Sequence, residues 1–201
     1  MTIVKGGGSV TAAGAGPPAY VTSWYYPPQC GAMDPGTTGV TTTDTRLYYI
    51  PIFIFQTHTF TNMAVYNSGA GDSGDDVRLG VYSHHASYGP RTLEVDMGEV
   101  SFGASAAKTE ATAGTIALTK GWWWIAVHCN GAADMYAIRS RVASSMLWRL
   151  QADFGVPAVN SATLDCVNGF PYVDTTYGAL ATNAVAPTTC TSIVPKVWLK
   201  A

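Results

Sequence analysis

The chain has 201 residues, of which 47% are hydrophobic and 12% are charged, and its formal net charge at pH 7 is −2. An average soluble domain is about 25% charged, so this chain carries roughly half the usual charge. Its 11 Lys and Arg residues are too few for the dense positive field that a nucleic-acid binder needs. Aromatic residues make up 11% of the chain, which argues against intrinsic disorder.

No apolar stretch approaches the roughly 20 residues that a helix needs to cross a bilayer. The longest apolar run, residues 47–55, is interrupted by Pro51. The N-terminal residues lack the continuous apolar block of a secretory signal peptide. Because a lone soluble domain normally relies on surface charge for solubility, the low charge predicts a subunit of an assembly.

Residues 1–19 are rich in Gly, Ala and Ser and show no periodicity. Such a composition predicts an extended or flexible N-terminal arm. Two interpretations stay open: a disordered tail, or an arm that becomes ordered on a neighbouring subunit and docks through Ile3 and Val4. The remaining residues, 20–201, form the predicted folded domain, whose length suits one large domain.

From residue 20 onward the sequence alternates between short strand-like segments and Gly, Pro, Asn or Asp breaks. Only residues 138–154 have apolar spacing compatible with a helix, and they fit a strand followed by a loop equally well. Closely spaced strands rich in Thr and aromatic residues predict an all-β fold, specifically an antiparallel β-sandwich of the jelly-roll type. The predicted strands are residues 20–26, 46–55, 57–67, 77–83, 93–100, 114–119, 122–129, 135–138 and 193–199.

Alternation within these segments predicts which side chains form the core. Phe60, Met63 and Val65 are core candidates in residues 57–67. In the segment 77–83, one face carries Val77, Leu79 and Val81. In the segment 93–100, the predicted apolar face carries Leu93, Val95 and Met97.

Five short motifs follow one another in a recognisable order. They are LYYIPIFI at 47–54, RLGVYS at 78–83, GPRTLEVDMGEV at 89–100, IALTKGWWWIAV at 116–127 and PKVWLK at 195–200. In this order the chain resembles the β-sandwich module of tailed-bacteriophage tail fibres and related virion proteins, over about residues 20–201. The resemblance implies a structural or adhesin role on the virion, often with trimeric assembly, and no conserved active site.

The chain departs from that family in two respects. No shaft or coiled coil precedes the module, and three consecutive tryptophans replace a milder aromatic pattern. The expected function is therefore a virion structural protein, a tail-fibre or tail-tip subunit that takes part in host-surface attachment. Two alternatives stay open: a capsid head-decoration or head-fibre protein, and a carbohydrate-binding module or depolymerase.

The motif residues allow physical expectations of their own. Arg78 lies on an otherwise apolar strand and needs a carboxylate or carbonyl partner, for which Asp96 on the following strand is suited. Gly80 permits close backbone approach or a bulky neighbour such as Trp123.

Alternation places Trp122 and Trp124 on one face of their strand and Trp123 on the other. One face is expected to be core and the other surface or interface, so all three tryptophans are assembly candidates.

Metal sites find little support in the sequence. Asp72, Asp75 and Asp76 could attract calcium, but the EF-hand pattern is absent and a solvated hairpin loop is favoured. His84 and His85 are adjacent on a strand and point to opposite faces, so a metal would need His58 or His128 to join one of them. Surface or core histidines are favoured, and no metal or cofactor is expected.

Catalytic patterns are weak as well. The sequence has no G-x-S-x-G nucleophile motif. Glu94, Asp96 and Glu99 could supply paired carboxylates for glycoside hydrolysis, but carboxylates on a sheet are expected to face solvent. We therefore expect a protein that is not an enzyme.

Aromatic side chains on loops give the stronger functional signal, because sugars stack on them and protein interfaces use them as anchors. The loops 83–91 and 165–177 provide the candidate receptor-binding residues, namely His84, His85, Tyr88, Tyr172 and Tyr177. The expected partners are copies of the chain in a homotrimer, other virion proteins and a host-surface glycan. The expected location is the virion, after assembly in the host cytoplasm.

The four cysteines, Cys30, Cys129, Cys166 and Cys190, are far apart and form no CxxC pair, so neither a zinc site nor a redox motif is indicated. Free, mostly buried thiols are favoured, and two disulfides remain the alternative.

Overall fold

The computed structural model describes residues 20, 22–26, 33–34, 39–68, 75–85, 89–101, 108–111, 114–132, 134–140, 170–187, 189–191 and 193–201. Within these residues every regular element is a β-strand, and all of the strand pairs are antiparallel. The described residues include no helix that is long and apolar enough to cross a membrane. The strands are β1 (Tyr25–Tyr26), β2 (Met33–Asp34), β3 (Gly39–Thr41), β4 (Arg46–Ile54), β5 (His58–Phe60), β6 (Asn62–Tyr66), β7 (Asp76–His85), β8 (Gly89–Ser101), β9 (Lys108–Ala111), β10 (Ile116–Leu118), β11 (Gly121–Asn130), β12 (Asp134–Ser140), β13 (Phe170–Asp174), β14 (Thr189–Thr191), β15 (Ile193–Pro195) and β16 (Val197–Lys200).

The largest sheet has six strands in the order β14-β13-β4-β11-β7-β8. A four-stranded sheet has the order β1-β16-β6-β9, and β10 pairs with β5. A further sheet has the order β15-β12-β2, with β3 also paired to β12. The all-β, antiparallel part of the predicted fold class is therefore confirmed.

Strand β11 lies at the centre of the six-stranded sheet because its side chains are apolar on both faces. Its neighbour β4 places Ile50 opposite Ile125, and β7 places Val81 opposite the same residue. Side chains alternate along a strand, so this row faces one side of the sheet, here called the first face. The adjacent row, which includes Tyr49, Ala126 and the strand position of Gly80, belongs to the second face.

The first face forms most of the main core, which it shares with strands of the smaller sheets. The predicted core residues Phe60, Met63 and Val65 are fully buried in it. Val77, Leu79 and Val81 are also fully buried there, as their alternation predicted. The other members of this cluster are Tyr48, Ile50, Ile52, Ile54, Met97, Val100, Ala111, Ile116, Leu118, Ile125, Val127, Cys129, Met135, Phe170, Val194, Val197, Leu199 and Ala201.

The second face carries a smaller buried cluster, here called the second core. It consists of Leu47, Tyr49, Tyr82, Trp124, Ala126, Val173 and Leu180, with Leu93 and Ala184 packed against it. Both faces of the six-stranded sheet are thus covered by apolar contacts. This explains why β4 is a nearly continuous apolar run rather than a strictly alternating one.

Strand β8 corrects one expectation. It has 13 residues against the 10 of β7, and three register shifts along the pair accommodate the difference. One shift lies between the pairs Val81–Val95 and Tyr82–Leu93. Leu93 therefore packs against the second core while Val95 packs against the main core, so the prediction that both share a face is wrong.

A segment without regular secondary structure, residues 175–187, crosses the second face and is here called the strap. The backbone N–H of Thr175 donates to Thr45 O at 2.8 Å at the β4 side. At the β8 edge, Thr92 and Asn183 form an antiparallel bridge. The strap therefore runs from β13 over the middle of the sheet to the opposite edge strand.

Most of the other strand predictions are confirmed with changed boundaries. Residues 57–67 divide into β5 and β6, and among the described residues of 20–26 the strand comprises Tyr25–Tyr26. The segments at 114–119 and 122–129 flank Gly121 but enter different sheets, because β10 pairs with β5. Residues 1–19, 69–74 and 141–154 lie outside the described residues, so the arm and most of the helix alternative stay predictions.

Candidate functional site

The described receptor candidates, His84, His85, Tyr172 and Tyr177, do not come together at one place. His84 and His85 lie at the end of β7, where they pair with Pro90 and Gly89. Tyr177 lies on the strap and contacts Glu99, which pairs with Arg78 near the start of β7. Arg78 and His84 are six residue steps apart along β7, which corresponds to about 20 Å. Tyr88, Ile3 and Val4 lie outside the described residues.

The Tyr177 end of the second face is built on an ion pair between β7 and β8. Arg78 Nε lies 3.1 Å from both carboxylate oxygens of Asp96, and Nη2 lies 2.8 Å from Oδ2. This confirms the predicted partner of Arg78. The Gly98 N–H donates to Asp96 Oδ1 at 2.9 Å, and Gly98 has φ +78°. The hydrogen bond to Asp96 raises the pKa of Arg78 and keeps it charged.

Tyr177 joins the strap to this ion-paired region. Its hydroxyl donates to Glu99 Oε2 at 2.7 Å, and its ring centroid lies 5.0 Å from that of His128. Burial, followed by the hydrogen bond and the negative charge of Glu99, raises the pKa of Tyr177. The tyrosine therefore stays a hydrogen-bond donor throughout the physiological pH range.

His128 lies beneath the strap and is only 2% exposed. Its Nε2 is 3.3 Å from the carbonyl oxygen of Thr175. Its Nδ1 is buried and has no hydrogen-bond partner among the described residues. Burial is the main cause that lowers the pKa of His128, and the positive charge of Arg78, its cross-strand neighbour, lowers it further. The backbone of Thr175 and Gly178 acts in the opposite direction without reversing the shift.

Tyr172, on β13, is engaged in structural contacts. The guanidinium of Arg46 lies 3.9 Å from the centroid of its ring, a cation–π distance. Arg46 also binds Asp174 through Nε at 2.8 Å. One face of the Tyr172 ring is thus covered by a side chain of its own sheet, which reduces what it can offer to a receptor.

The His84 end of the second face is organised by Trp124, which is 4% exposed. Its indole N–H donates to His84 Nδ1 at 3.0 Å, and the two rings are stacked at 6.2 Å. Burial, followed by repulsion from His85, lowers the pKa of His84. A neutral His84 is therefore held as the acceptor of the Trp124 hydrogen bond.

Three half-buried aromatic side chains, Phe53, Phe55 and Trp122, lie at this end of the six-stranded sheet and are here called the aromatic group. Trp122 also packs against the main core. Phe53 meets Trp122 edge to face at 5.1 Å and Phe55 at 5.2 Å. Sequence reasoning singled out Trp122 but missed both phenylalanines. Phe53 lies directly opposite Trp122 in the register of β4 with β11, which alternation within one strand does not reveal.

The three tryptophans do not divide as alternation predicted, because Trp122 and Trp123 both pack against the main core while Trp124 lies in the second core. Trp123 packs against the main core and its indole N–H donates to the carbonyl oxygen of Thr119 at 2.9 Å. Trp124 lies in the second core, and Trp122 lies in the aromatic group. We expected one face to be core and the other to be surface or interface. This is only partly right, because Trp124 is buried in the second core.

Sequence reasoning also missed Trp24, whose side chain is 62% exposed. It precedes β1, and its carbonyl oxygen accepts from the N–H of Ala201 at 3.0 Å. Ser23, with φ +69°, turns the chain at this point.

The sequence-predicted neighbour of Gly80 is corrected. A Cβ at Gly80 would lie 2.4 Å from Leu180 Cδ1 and 2.9 Å from the carbonyl oxygen of Val95. The glycine therefore does permit a close approach, but the strap residue Leu180 makes it and Trp123 does not.

Potential metal ligands are dispersed over the described part of the chain, which contains no group of three or more that could hold an ion. His58 packs against Tyr20 and Phe60, each at 4.9 Å, on β5. Asp72 lies outside the described residues, so the calcium alternative is untested.

Cys129 is a free, buried thiol whose pKa burial raises to about 12. Cys30 and Cys166 lie outside the described residues, as does the side chain of Cys190, so the state of those three stays a prediction.

No protein-family model, curated protein or solved structure matches the chain.

Proposed function

We propose that the chain is a bacteriophage virion structural protein, a tail-fibre or tail-tip subunit that forms a homotrimer and takes part in host-surface attachment. The order of the five sequence motifs and the antiparallel all-β architecture support this function. The observation that carries it is the aromatic group: Phe53, Phe55 and Trp122 are half-buried, and the Phe53 ring contacts both of the others at one end of the six-stranded sheet. Aromatic side chains of this kind are typical anchors of protein interfaces and sugar sites.

The proposed fold is an antiparallel β-sandwich of the jelly-roll type with an N-terminal arm. Its two layers would be the six-stranded sheet and the sheet β1-β16-β6-β9. Support comes from the main core, in which Ile50 and Leu79 of the first join Met63 and Leu199 of the second. Inward-facing side chains of two sheets form such a shared layer in a sandwich.

Light scattering coupled to size-exclusion chromatography tests the trimer. We expect a mass near three times the 21.2 kDa of the chain. The double variant Phe53→Ser/Trp122→Ser should dissociate if the aromatic group is the interface, whereas Trp24→Ser is the control on a different element. A monodisperse monomer of the unaltered chain at micromolar concentration contradicts the assembly.

Immunogold electron microscopy of the phage that encodes the chain tests its position. Antibodies raised against the purified chain should label the tail or its tip. Label on the head instead supports a head-decoration protein, and particles that lack the chain contradict a virion role of either kind.

A carbohydrate-binding module is a second candidate, favoured by the same aromatic group because sugar rings stack on aromatic faces. A glycan array compared with the Phe53→Ala/Trp122→Ala variant tests it. Loss of binding in this variant, with binding retained in Trp24→Ala, places the sugar on the aromatic group. Release of shortened oligosaccharides from a bound glycan distinguishes a depolymerase from a binding module.

A further inference from the structure

The strap is held to the second face by contacts along its whole length. Besides the Thr175–Thr45 hydrogen bond, the hydroxyl of Tyr82 donates to the carbonyl oxygen of Ala181 at 2.8 Å. At the far end, the N–H of Leu93 donates to Thr182 O at 2.8 Å and that of Ala184 donates to Arg91 O at 2.6 Å. Leu180 lies between these points and is buried in the second core, with 7% exposed.

His128 lies where the strap begins, and its buried environment favours the neutral ring. A neutral ring with its proton on Nε2 donates to Thr175 O, the atom at 3.3 Å. In that tautomer the buried Nδ1 carries a bare lone pair. A second proton would place an N–H donor at Nδ1, which is buried and makes no hydrogen bond with the described residues in the closed form. A buried donor without a partner is costly, and a buried charge more so.

The charged groups that face His128 do not offset a positive charge on the ring. From β7, Arg78 is a cation directly across the strand pair. From β8, Asp96 is bound to Arg78 and Glu99 accepts from Tyr177. On the β4 side of β11, the cross-strand neighbour of His128 is Leu47, which carries no charge. The adjacent residue Arg46 forms an ion pair with Asp174 of β13.

The strap itself contributes the Tyr177 ring and the backbone of Thr175 and Gly178. These backbone groups favour a proton on the ring, but burial and Arg78 outweigh them, so the pKa of His128 in the closed form stays below its ordinary value.

From this geometry we infer that the strap is a pH-sensitive latch, closed over neutral His128 and released when the imidazole takes up a second proton. Release gives the new N–H and the charge access to water while the sheet beneath stays paired. The latch is independent of the proposed virion function, because it rests on the strap and the sheet of one chain.

Hydrogen exchange of the N–H groups of Thr175, Leu93 and Ala184 measures strap opening, after correction for the intrinsic pH dependence of exchange. Between pH 7.5 and 5.0 we expect their protection to fall by up to tenfold per pH unit below about 6.5, which is the slope for uptake of one proton. The amides of Ile125 and Val127 in β11 report global unfolding. A strap whose protection does not change with pH, or changes only in parallel with β11, overturns the latch.

Two histidine variants identify the group that titrates. His128→Gln keeps a side-chain N–H donor for Thr175 but cannot be protonated in this range, so its strap should lose the pH response. His84→Asn, at the other end of the second face, should retain the response of the unaltered chain. Retention of the response in His128→Gln assigns it to another group and overturns the proposal.

A disulfide lock tests the latch without replacing His128. Thr92 and Asn183 are antiparallel bridge partners. Their neighbours form the hydrogen bonds on either side, so the two residues are a non-hydrogen-bonded pair. The Cα atoms of such a pair lie about 4.5 Å apart, a distance that suits a disulfide. In the Thr92→Cys/Asn183→Cys variant, oxidation should lower the pKa of His128 measured by NMR relative to the reduced form. Equal pKa values in the two forms overturn the latch.

Discussion

Gly80 is the residue at which the strap and the sheet approach most closely. Replacing it with Ala would place a Cβ within 2.4 Å of Leu180 Cδ1 and 2.9 Å of a backbone oxygen of Val95. Leu180 can shift, but the backbone of β8 cannot shift without disturbing its pairing with β7. We expect Gly80→Ala to lower the free energy of unfolding by about 1–3 kcal/mol, the usual cost of overpacking, as measured by urea denaturation.

Gly114→Ala is the matched control, because a Cβ there would meet nothing within 4 Å. It should leave the stability unchanged or raise it slightly through the loss of chain entropy in the unfolded state. Equal effects of the two substitutions would show that the strap does not constrain Gly80.

The two ion pairs of the six-stranded sheet should differ in their contribution to stability. Asp96 binds two nitrogens of Arg78 and the N–H of Gly98, and its side chain is 27% exposed. Asp174 binds one nitrogen of Arg46 and is 58% exposed. We expect Asp96→Ala to cost about 1.5–3 kcal/mol, as charged hydrogen bonds do, and Asp174→Ala to cost less than about 1 kcal/mol, as exposed pairs do. Chemical denaturation of both variants gives the comparison, and the reverse order would contradict it.

At the scale of elements, the register shifts of β8 set which side chains reach the second face. The shift between Val81 and Tyr82 leaves Glu94 as the extra residue opposite β7. Deleting Glu94 should force Leu93 either out of the second core or out of its hydrogen bond to Thr182, because a one-residue change reverses the face of a side chain. We expect a lower melting temperature and faster hydrogen exchange of the Leu93 N–H.

The substitution Glu94→Ala is the control for that deletion, since the side chain is exposed and its loss should change stability by no more than about 0.5 kcal/mol. A deletion variant as stable as this substitution would mean that β8 can slide without loss of packing.

The sequence pattern predicted β4, β7 and β11 because apolar side chains dominate them and turn signals bound them, with strict alternation over Val77, Leu79 and Val81 of β7. The rule that alternate residues share a face was less reliable. Alternation failed for Leu93 because a bulge adds a residue to β8 without altering the local sequence pattern. A glycine at position 98, which has a positive φ, was a sequence signal for one of the three register shifts between β7 and β8. The strap escaped prediction for a different reason. Its sequence has no periodicity, and its position depends on long-range contacts such as that of Leu180 with Gly80.

The candidate site was harder to predict than the strands. His84, Tyr172 and Tyr177 were predicted as loop residues free to meet a receptor, but each forms a specific contact within the chain. Their partners Trp124, Arg46 and Glu99 are distant in sequence. Arg78 and Asp96 were paired correctly because neighbouring strands of a hairpin were involved and a charge on an apolar strand needs a partner.

For the molecule as a whole, the low charge has a second explanation besides assembly. The six-stranded sheet buries apolar side chains on both faces, one in the main core and one beneath the strap. A sheet covered on both sides needs few charged residues along its strands. Part of the apolar excess is thus used within one chain, and among the described residues the aromatic group, Trp24 and Val185 offer apolar surface to partners.

The burial of two histidines also makes global stability sensitive to acid. Folding lowers the pKa of His84 and that of His128, in each case chiefly through burial. Below the ordinary histidine pKa of about 6.5, the unfolded chain therefore binds more protons than the folded one, and the free energy of unfolding falls as the pH falls. Urea denaturation at pH 7.5, 6.5 and 5.5 should show this decline.

The double variant His84→Asn/His128→Gln should flatten that part of the pH profile. The amide oxygen of the asparagine introduced in place of His84 can accept from the Trp124 indole as Nδ1 does, and neither replacement takes up a proton in this range. Each single variant should remove only part of the slope, because the two rings lie at opposite ends of the second face and titrate separately. A slope that persists undiminished in the double variant would show that neither His84 nor His128 causes the acid sensitivity.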